Sequence, residues 1–284
     1  MSRRYSLSIV QQKESVVGIG LGIFLLMLFS VGPTLLSFDP GATSLTIFSP
    51  PSGMHWLGTN DVGQDIFSRL LTGGRSSLIV ALGVGIISTL LAVTLGSWAA
   101  MAGRWADKLI MRTVDILLVI PNIIIIILIT SYFRPSLALE IIIISFLGWL
   151  EGARVVRMQI LTLKERAHIY AAKLFGASQF YVFYRHLLPQ LFPLMLFLLL
   201  QGMRRAVFIE AGLAFIGVVD PDVISWGSMI SNALKFYYLE VWAWWLLPTV
   251  GMLSLSLLAV TLIGYGLEEQ SSRSGGKKIN AADS

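Results

Sequence analysis

The sequence predicts an all-α polytopic membrane protein with six transmembrane helices, and three observations predict it. Of its 284 residues, 55% are hydrophobic and only 13% are charged, whereas soluble domains carry roughly 25% charged residues. The apolar residues gather into runs close to the length a bilayer requires. That length is about 20 residues for a core about 30 Å thick, because every backbone N–H and C=O must be bonded inside the segment. The runs are also continuous, as in IIIIILIT from Ile123 to Thr130, whereas a transmembrane β-strand would alternate over about ten residues.

The first expected span, Val16 to Phe38, follows a short N-terminal segment, residues 1–15. A cleaved signal peptide is the alternative here, since Arg3 and Arg4 precede an apolar stretch; the length of the run and the lack of a small-residue cleavage site favour a span. A polar segment, Asp39 to Ser77, carries turn chemistry in DPG and SPPSG and leads to the second span, Leu78 to Ala102. The third span is expected over Leu109 to Phe133 and the fourth over Leu137 to Val156, where Glu140 and Glu151 leave only a short apolar centre. A large loop from about Arg157 to Leu188 precedes the fifth span, Leu191 to Val218. A second polar segment, Val219 to Glu240, contains DPD at Asp220 to Asp222, and the sixth span covers Val241 to Leu267. The tail, residues 268–284, has the composition of a disordered end.

Orientation follows from the placement of the 21 Lys and Arg residues. With the N-terminus inside, only Arg69, Arg75, Arg134 and Lys235 fall outside, Arg204 and Arg205 being intramembrane. Both termini are therefore expected in the cytoplasm. The pI near 9.6 is then explained by topology and anionic lipid, without nucleic acid as a partner. The lack of cysteine excludes disulfides and thiolate metal sites. There is no P-loop pattern, and His55, His168 and His186 have no metal-ligand spacing, so no metal is expected. Small residues at Gly18 and Gly22, and at Gly96 and Ala100, are spaced for close helix packing.

The loop is the least lipid-like part of the chain. Ala171, Ala172, Lys173 and Leu174 favour a helix, and Gly176 suits the left-handed position that ends one. Ser178 can cap a second helix running from Gln179 toward Leu188. Pro189 is then tolerated in the first turn of the fifth span. Such a pair could rest on lipid headgroups as an amphipathic helix. Its alanine doublet, followed by Phe175, Phe180, Tyr181, Phe183 and Tyr184, equally suits insertion into a groove on a partner protein.

The string RAHIYAAKLFGASQFYVFYRHLLPQ resembles the cytoplasmic EAA signature of ABC importer permeases. Ala171, Ala172, Gly176 and Pro189 match, and Tyr170 stands where that family usually has Glu. HWLGTNDVGQDIFSRLLTGGRSSL and FIEAGLAFIGVVDPDVISWGSMI are similar to segments of one subgroup, the dipeptide, oligopeptide and nickel permeases, with Gln64 where Arg is common. Together with WLEGARVVRMQILTLKER, the resemblance spans roughly Trp56 to Leu267, with a permease core over residues 78–267.

The resemblance implies a type I ABC importer permease fold and one of two membrane subunits of an ATP-driven importer in the plasma membrane of a prokaryote. The implied partners are a second homologous permease, two ABC ATPase subunits, an extracytoplasmic substrate-binding protein and membrane lipid. The chain would bind no cofactor itself and would carry no active site of its own, with ATP and Mg held by the ATPases. Residues 167–180 would be the coupling element. Its members are Tyr170, Ala171, Ala172, Phe175, Gly176, Ala177 and Ser178, with Glu165 able to supply the charge that Tyr170 lacks. The cargo implied is a peptide, nickel or a metal chelate.

Arg204, Arg205 and Glu210 lie within the fifth span, where a charge costs about 2.5–3.5 kcal/mol at the centre of a lone helix. Their spacings do not pair them on one helix face. Inter-helix pairing, snorkelling and a pathway role that attracts substrate carboxylates all remain open. Asp115 is expected to pair with a cytoplasmic basic group, and Asn122 and Gln201 to bond between helices. Asp61, Asp65, Asp220, Asp222 and Trp226, with Arg69, could receive a binding protein or simply hold the two outer segments together. The competing functional classes are an ion-coupled secondary transporter, for which the missing internal repeat is unfavourable, and a non-transporting membrane scaffold.

Overall fold

The computed structural model describes the backbone of residues 2–35 and 39–280, and the side chains of residues 16–34 and 39–266. Positions 36–38 of the first expected span, the side chains of the N-terminal segment 1–15, and those of the expected tail 268–284 lie outside the described residues. The described residues are helical and irregular, and the β-pairing found among them is one isolated bridge, Thr59 with Asp65.

The helices are α1 (Ser2–Val31), α2 (Ile66–Met101), α3 (Arg104–Val119), α4 (Asn122–Tyr132), α5 (Leu137–Lys164), α6 (Ala167–Leu174), α7 (Gln179–Val182), α8 (Leu188–Phe215), α9 (Trp226–Leu234) and α10 (Leu246–Asn280). By length and composition, four stretches can cross a membrane: Val16–Thr34, Ile66–Met101, Gln179–Phe215 and Glu240–Gly266. Counting α3 and α4 as one broken span gives a fifth, and α5, the expected fourth span, is not among them, so the described residues show four or five of the six expected spans.

Several expected boundaries move, each for a local reason. The third span is not one helix: α3 and α4 meet at a bend of 85°. Pro121 has no N–H for the ladder and disfavours a helical conformation at the residue before it; Ile120 accordingly adopts an extended φ of −85° and ψ of 125°. α2 begins at Ile66, well before Leu78, because Ile66, Leu70 and Leu71 are buried and belong to a core rather than a solvated loop. α5 runs on through Lys164, past Val156, since Val156, Ile160 and Leu163 form one buried stripe at helical spacing. The second polar segment holds α9, started by a Ser225/Ser228 capping box and burying Trp226, Met229 and Ala233.

The described chain divides into two compact units. The first comprises residues 1–82, 130–141 and 203–266. Its core gathers Leu25, Phe29, Ile66, Leu70, Trp226, Met229 and Trp245. Phe29 meets Trp226 edge-on with ring centroids 5.1 Å apart, a favoured aromatic geometry. Gly18 lies where an added Cβ would come within 2.6 Å of Leu262 Cβ, so α1 and α10 approach to glycine distance.

The second unit comprises residues 83–129, 142–202 and 267–284. One cluster packs Val93, Ala100, Val156, Ile160 and Leu163 with Ile169, Val182, Leu187 and Leu191. Another joins Ala92, Val114, Trp149, Leu150 and Ala153. Gly96 carries the expected close approach: a Cβ there would come within 2.6 Å of the Ala153 carbonyl oxygen. Asp115 pairs with Arg154, as expected from the sequence, and Asp107 pairs with Arg157.

Candidate functional site

The helix pair α6 and α7 is built as its residue types require. Arg166 is the extended residue before α6, and Phe175 closes it. Gly176 then turns with φ +83°. Its N–H donates to the Lys173 carbonyl, and the Ala177 N–H donates to the Ala172 carbonyl, each at 3.0 Å. These two bonds are the Schellman pattern, satisfying carbonyls that a helix end leaves open. Ser178 begins α7, its Oγ accepting from the Tyr181 N–H at 3.2 Å.

The second helix of the pair departs from a plain α-helix. Phe183–Leu187 is a π-helical turn, and the Leu188 N–H donates to Phe183, five residues back. The widened turn lies immediately before Pro189, which can offer no N–H to Arg185 and would press on its carbonyl. The sequence contained this signal in Pro189, but only the continuous stretch Gln179–Phe215 turns the proline into a bulge rather than a stop.

One face of the pair is an anchor. Ile169, Val182 and Leu187 are each 1% exposed or less and join the core of the second unit. The opposite face is open: Tyr170, Leu174, Phe175, Phe180, Tyr181 and Tyr184 are all exposed, Phe175 to 92%. Phe180 and Tyr184 lie against each other with centroids 4.4 Å apart. Ala171, Ala172 and Ala177 are half-buried, while Gly176, Ser178 and Glu165 are exposed. The structure thus places Tyr170 through Ser178 on one short capped element with several exposed aromatic and aliphatic side chains, and Glu165 just ahead of it, directly after the end of α5.

Charges brace this element from behind. Arg166 donates to Gln190 Oε1 at 2.9 Å, and Gln190 Nε2 donates to the His186 carbonyl at 2.7 Å. The Lys164 ammonium donates to the Ala100 carbonyl. Burial, with the nearby Lys173 charge second, holds that ammonium below the ordinary lysine range. Arg157 grips both Asp107 oxygens, with Nη2 to Oδ2 at 2.6 Å, and these hydrogen bonds hold its guanidinium above the ordinary range.

The residues expected to receive a binding protein do not form one group. Asp65 is buried; it accepts from the Ser68 N–H at 2.7 Å at the start of α2 and bonds His55 Nδ1 at 2.9 Å. Trp226 is 1% exposed and donates its indole N–H to the Leu70 carbonyl at 3.0 Å. Both are therefore corrected to internal roles, since neither presents a surface and their polar groups are already occupied. Asp220 and Asp222 form a turn in which Asp220 Oδ1 accepts from the Asp222 N–H at 3.0 Å. Asp61 is half-buried near Arg69, which donates to the Pro40 carbonyl at 3.1 Å.

Of the intramembrane charges, Arg204 and Arg205 are half-buried and each has an interaction partner. Glu210 is 2% exposed, and its Oε2 accepts from Ser77 Oγ at 3.3 Å. It shares a small cleft with Ser76, Glu140, Asp220 and Ser225. Sequence reasoning treated Glu140 only as an interruption of a span. A carboxyl inside an apolar run was the available signal, but Glu210, which lines the same cleft, is too distant in sequence to be read by spacing.

The family model described as binding-protein-dependent transport system inner membrane component matches residues 92–270. A Brucella suis protein named as a peptide permease is 34% identical over 263 residues, covering 92% of this chain and 87% of its own length. The dipeptide transport system permease protein DppC of Bacillus subtilis is 31% identical, covering 91% of this chain and 81% of its own length. The oligopeptide permease protein OppC of the same organism is 29% identical, with 90% and 84% covered. Among solved structures, a chain of the MetNI methionine ABC transporter in inward facing conformations aligns with a TM-score of 0.58 at 17% identity. It covers 72% of this chain and 95% of that one, a likeness of fold. The chain belongs to the family of binding-protein-dependent transport system inner membrane components.

Proposed function

We propose that the chain is a permease subunit of an ATP-driven importer of peptides, lining part of the translocation pathway and driven through α6 and α7 by a separate ATPase. The observation that carries this reading is the exposed surface around Phe175, held on a helix pair whose inner face is locked into a core. An element resting on lipid would need only an apolar stripe. A tightly capped turn between two short helices instead makes a rigid projection, able to pass a push into α5 and α8. The names of the relatives, peptide, dipeptide and oligopeptide permeases, support peptides over nickel or metal chelates as cargo.

In this reading Tyr170, Ala171, Ala172, Phe175, Gly176, Ala177 and Ser178 meet the ATPase, with Glu165 exposed beside them to supply a carboxylate. Both termini face the cytoplasm. A second permease completes the pathway, two ATPases hold ATP and Mg, and a binding protein delivers cargo. Chemistry on ATP is the partners' task, and this chain contributes motion and a path.

The test is uptake by the complete complex in proteoliposomes, with ATP supplied and ion gradients collapsed. ATP-dependent accumulation of a dipeptide is expected. Uptake that follows an ion gradient and ignores ATP would mean a secondary transporter, and accumulation of nickel without peptide would reassign the cargo.

A further inference from the structure

Gln190, in the first turn of α8, meets three groups at once. Its Oε1 accepts from Arg166 Nη1 at 2.9 Å; its Nε2 donates to the His186 carbonyl at 2.7 Å and lies 3.4 Å from His168 Nε2. A guanidinium can only donate and a carbonyl can only accept, so both neighbours impose the same orientation on the amide. Its NH₂ group therefore faces His168, and that contact is a hydrogen bond only while His168 Nε2 is an unprotonated acceptor. The His168 and His186 rings stand 6.1 Å apart, and the His186 ring meets Tyr181 edge-on at 5.7 Å. One side chain of α8 thus ties the start of α6, through Arg166 and His168, to the π-helical turn.

That tie matters because α6 has only eight residues, and isolated helices shorter than about 12–15 residues are marginal in water. Its placement depends on what holds it. Ile169 is its buried residue, and one apolar anchor sets the depth of a helix while leaving it free to swing. The junction at Gln190 supplies a second point of attachment.

We propose that Gln190 is a positioning residue of the coupling element: it holds the first turn of α6 against α8, and protonation of His168 releases the hold. The role in coupling rests on the importer reading, whereas the attachment of α6 rests on the geometry alone. An imidazolium donates from both nitrogens, so protonation would set two donors against each other across the 3.4 Å contact. Besides tyrosines, the other ionisable side chains from residue 164 to residue 190 are Lys164, Glu165, Arg166, Lys173, Arg185 and His186, of which only Glu165 is acidic. Among the described residues no carboxylate forms an ion pair with either imidazole of the junction, and α8 presents no ionisable group before Arg204. A charge on His168 would therefore meet Arg166 and His186 without an acid to offset it. The attachment holds where the ring is neutral and is lost as pH falls through the imidazole range, about pH 8 to 5.

The experiment compares Gln190 and His168 variants with the wild type in the complete transporter. Backbone hydrogen exchange over residues 167–174 is read at about pH 8 and about pH 5.5, corrected for the intrinsic pH dependence of exchange. Dipeptide uptake per ATP hydrolysed is measured under the same conditions. One neutral hydrogen bond corresponds to a roughly 5-fold change in local opening. Wild-type α6 should accordingly lose about 5-fold in protection in acid, and uptake per ATP should fall with it. Gln190→Leu should show the low protection at both pH values. Gln190→Glu presents only acceptors, which pair most strongly with an imidazolium, so its protection should rise toward acid. His168→Gln, whose amide oxygen accepts without titrating, should be insensitive to pH. A Gln190 that served the fold alone would loosen α6 in both of its variants without reversing the pH profile, and that result overturns the proposal. A wild-type response that is absent, or that persists in His168→Gln, overturns it too. Unchanged uptake per ATP in acid, with protection lost, would remove Gln190 from coupling. Wild-type uptake that ignores ATP would sink the importer reading instead, and the exchange profiles would still decide whether Gln190 positions α6.

Discussion

The Ala177 N–H reaches back 3.0 Å to the Ala172 carbonyl across Gly176, whose φ is +83°. This bond fixes the angle at which α6 gives way to α7. Nothing lies within 4 Å of a Cβ added at Gly176, so a substitution there meets backbone strain and no steric obstacle. For a β-branched residue the left-handed region costs about 1–3 kcal/mol. Gly176→Val should therefore lower ATP-coupled uptake, with membrane insertion preserved. Gly176→Asn, which tolerates the left-handed region, should keep most of it. Equal uptake by both variants would mean that the turn angle does not govern coupling.

Phe175 separates contact from stability. At 92% exposure it packs against little of its own chain, so Phe175→Ala should change the thermal stability of the isolated subunit by no more than about 0.5 kcal/mol. Truncating an aromatic anchor at an interface typically costs about 2 kcal/mol or more. Co-purification of the ATPase with the variant should accordingly weaken by roughly 30-fold, and undiminished co-purification would remove Phe175 from the interface.

Ile169 should behave in the opposite way. It is fully buried beside Val182 and Leu187, and Ile169→Ala leaves a cavity under α6 at a cost of about 2–5 kcal/mol. Protease accessibility of the 167–188 stretch should rise while α2 and α5 remain protected. A variant as resistant as the wild type would show that the helix pair does not depend on this anchor.

The two ion pairs of the second unit should differ in worth. Arg154 and Asp115 are about half exposed, 46% and 50%, whereas Arg157 and Asp107 are 24% and 29% exposed and bonded through both carboxylate oxygens. A double-mutant cycle on the first pair should return a coupling of about 0–1 kcal/mol, and a cycle on the second should return more, since bidentate charge-assisted bonds are the stronger kind. Measured thermal unfolding in detergent gives both, and the reverse ranking would contradict the geometry.

Gly96 tests the packing of α2 on α5. A Cβ there would lie 2.6 Å from the Ala153 carbonyl oxygen and 3.0 Å from Val156 Cβ, and the backbone atom cannot rotate away. Gly96→Ala should destabilise the subunit by about 1–3 kcal/mol, despite the better helix propensity of alanine. An increase in thermal stability would mean that the two helices separate at no cost.

The sequence by itself determined the helical class, the runs that became the four long apolar stretches, and the α6–turn–α7 element, down to the glycine that turns it and the serine that caps α7. These features are local: they depend on run length, on the conformational freedom of one residue and on a hydroxyl three residues from its donor. The pairing of Asp115 with a basic residue was also legible in kind, because a charge near a span end needs a partner, but its identity as Arg154 was not. Tertiary structure alone decided that Asp65 and Trp226 are internal, that α2 starts at Ile66, and that Glu140 and Glu210 share one cleft. Burial and pairing across tens of residues depend on which helix faces meet, and hydropathy along a single chain does not specify that.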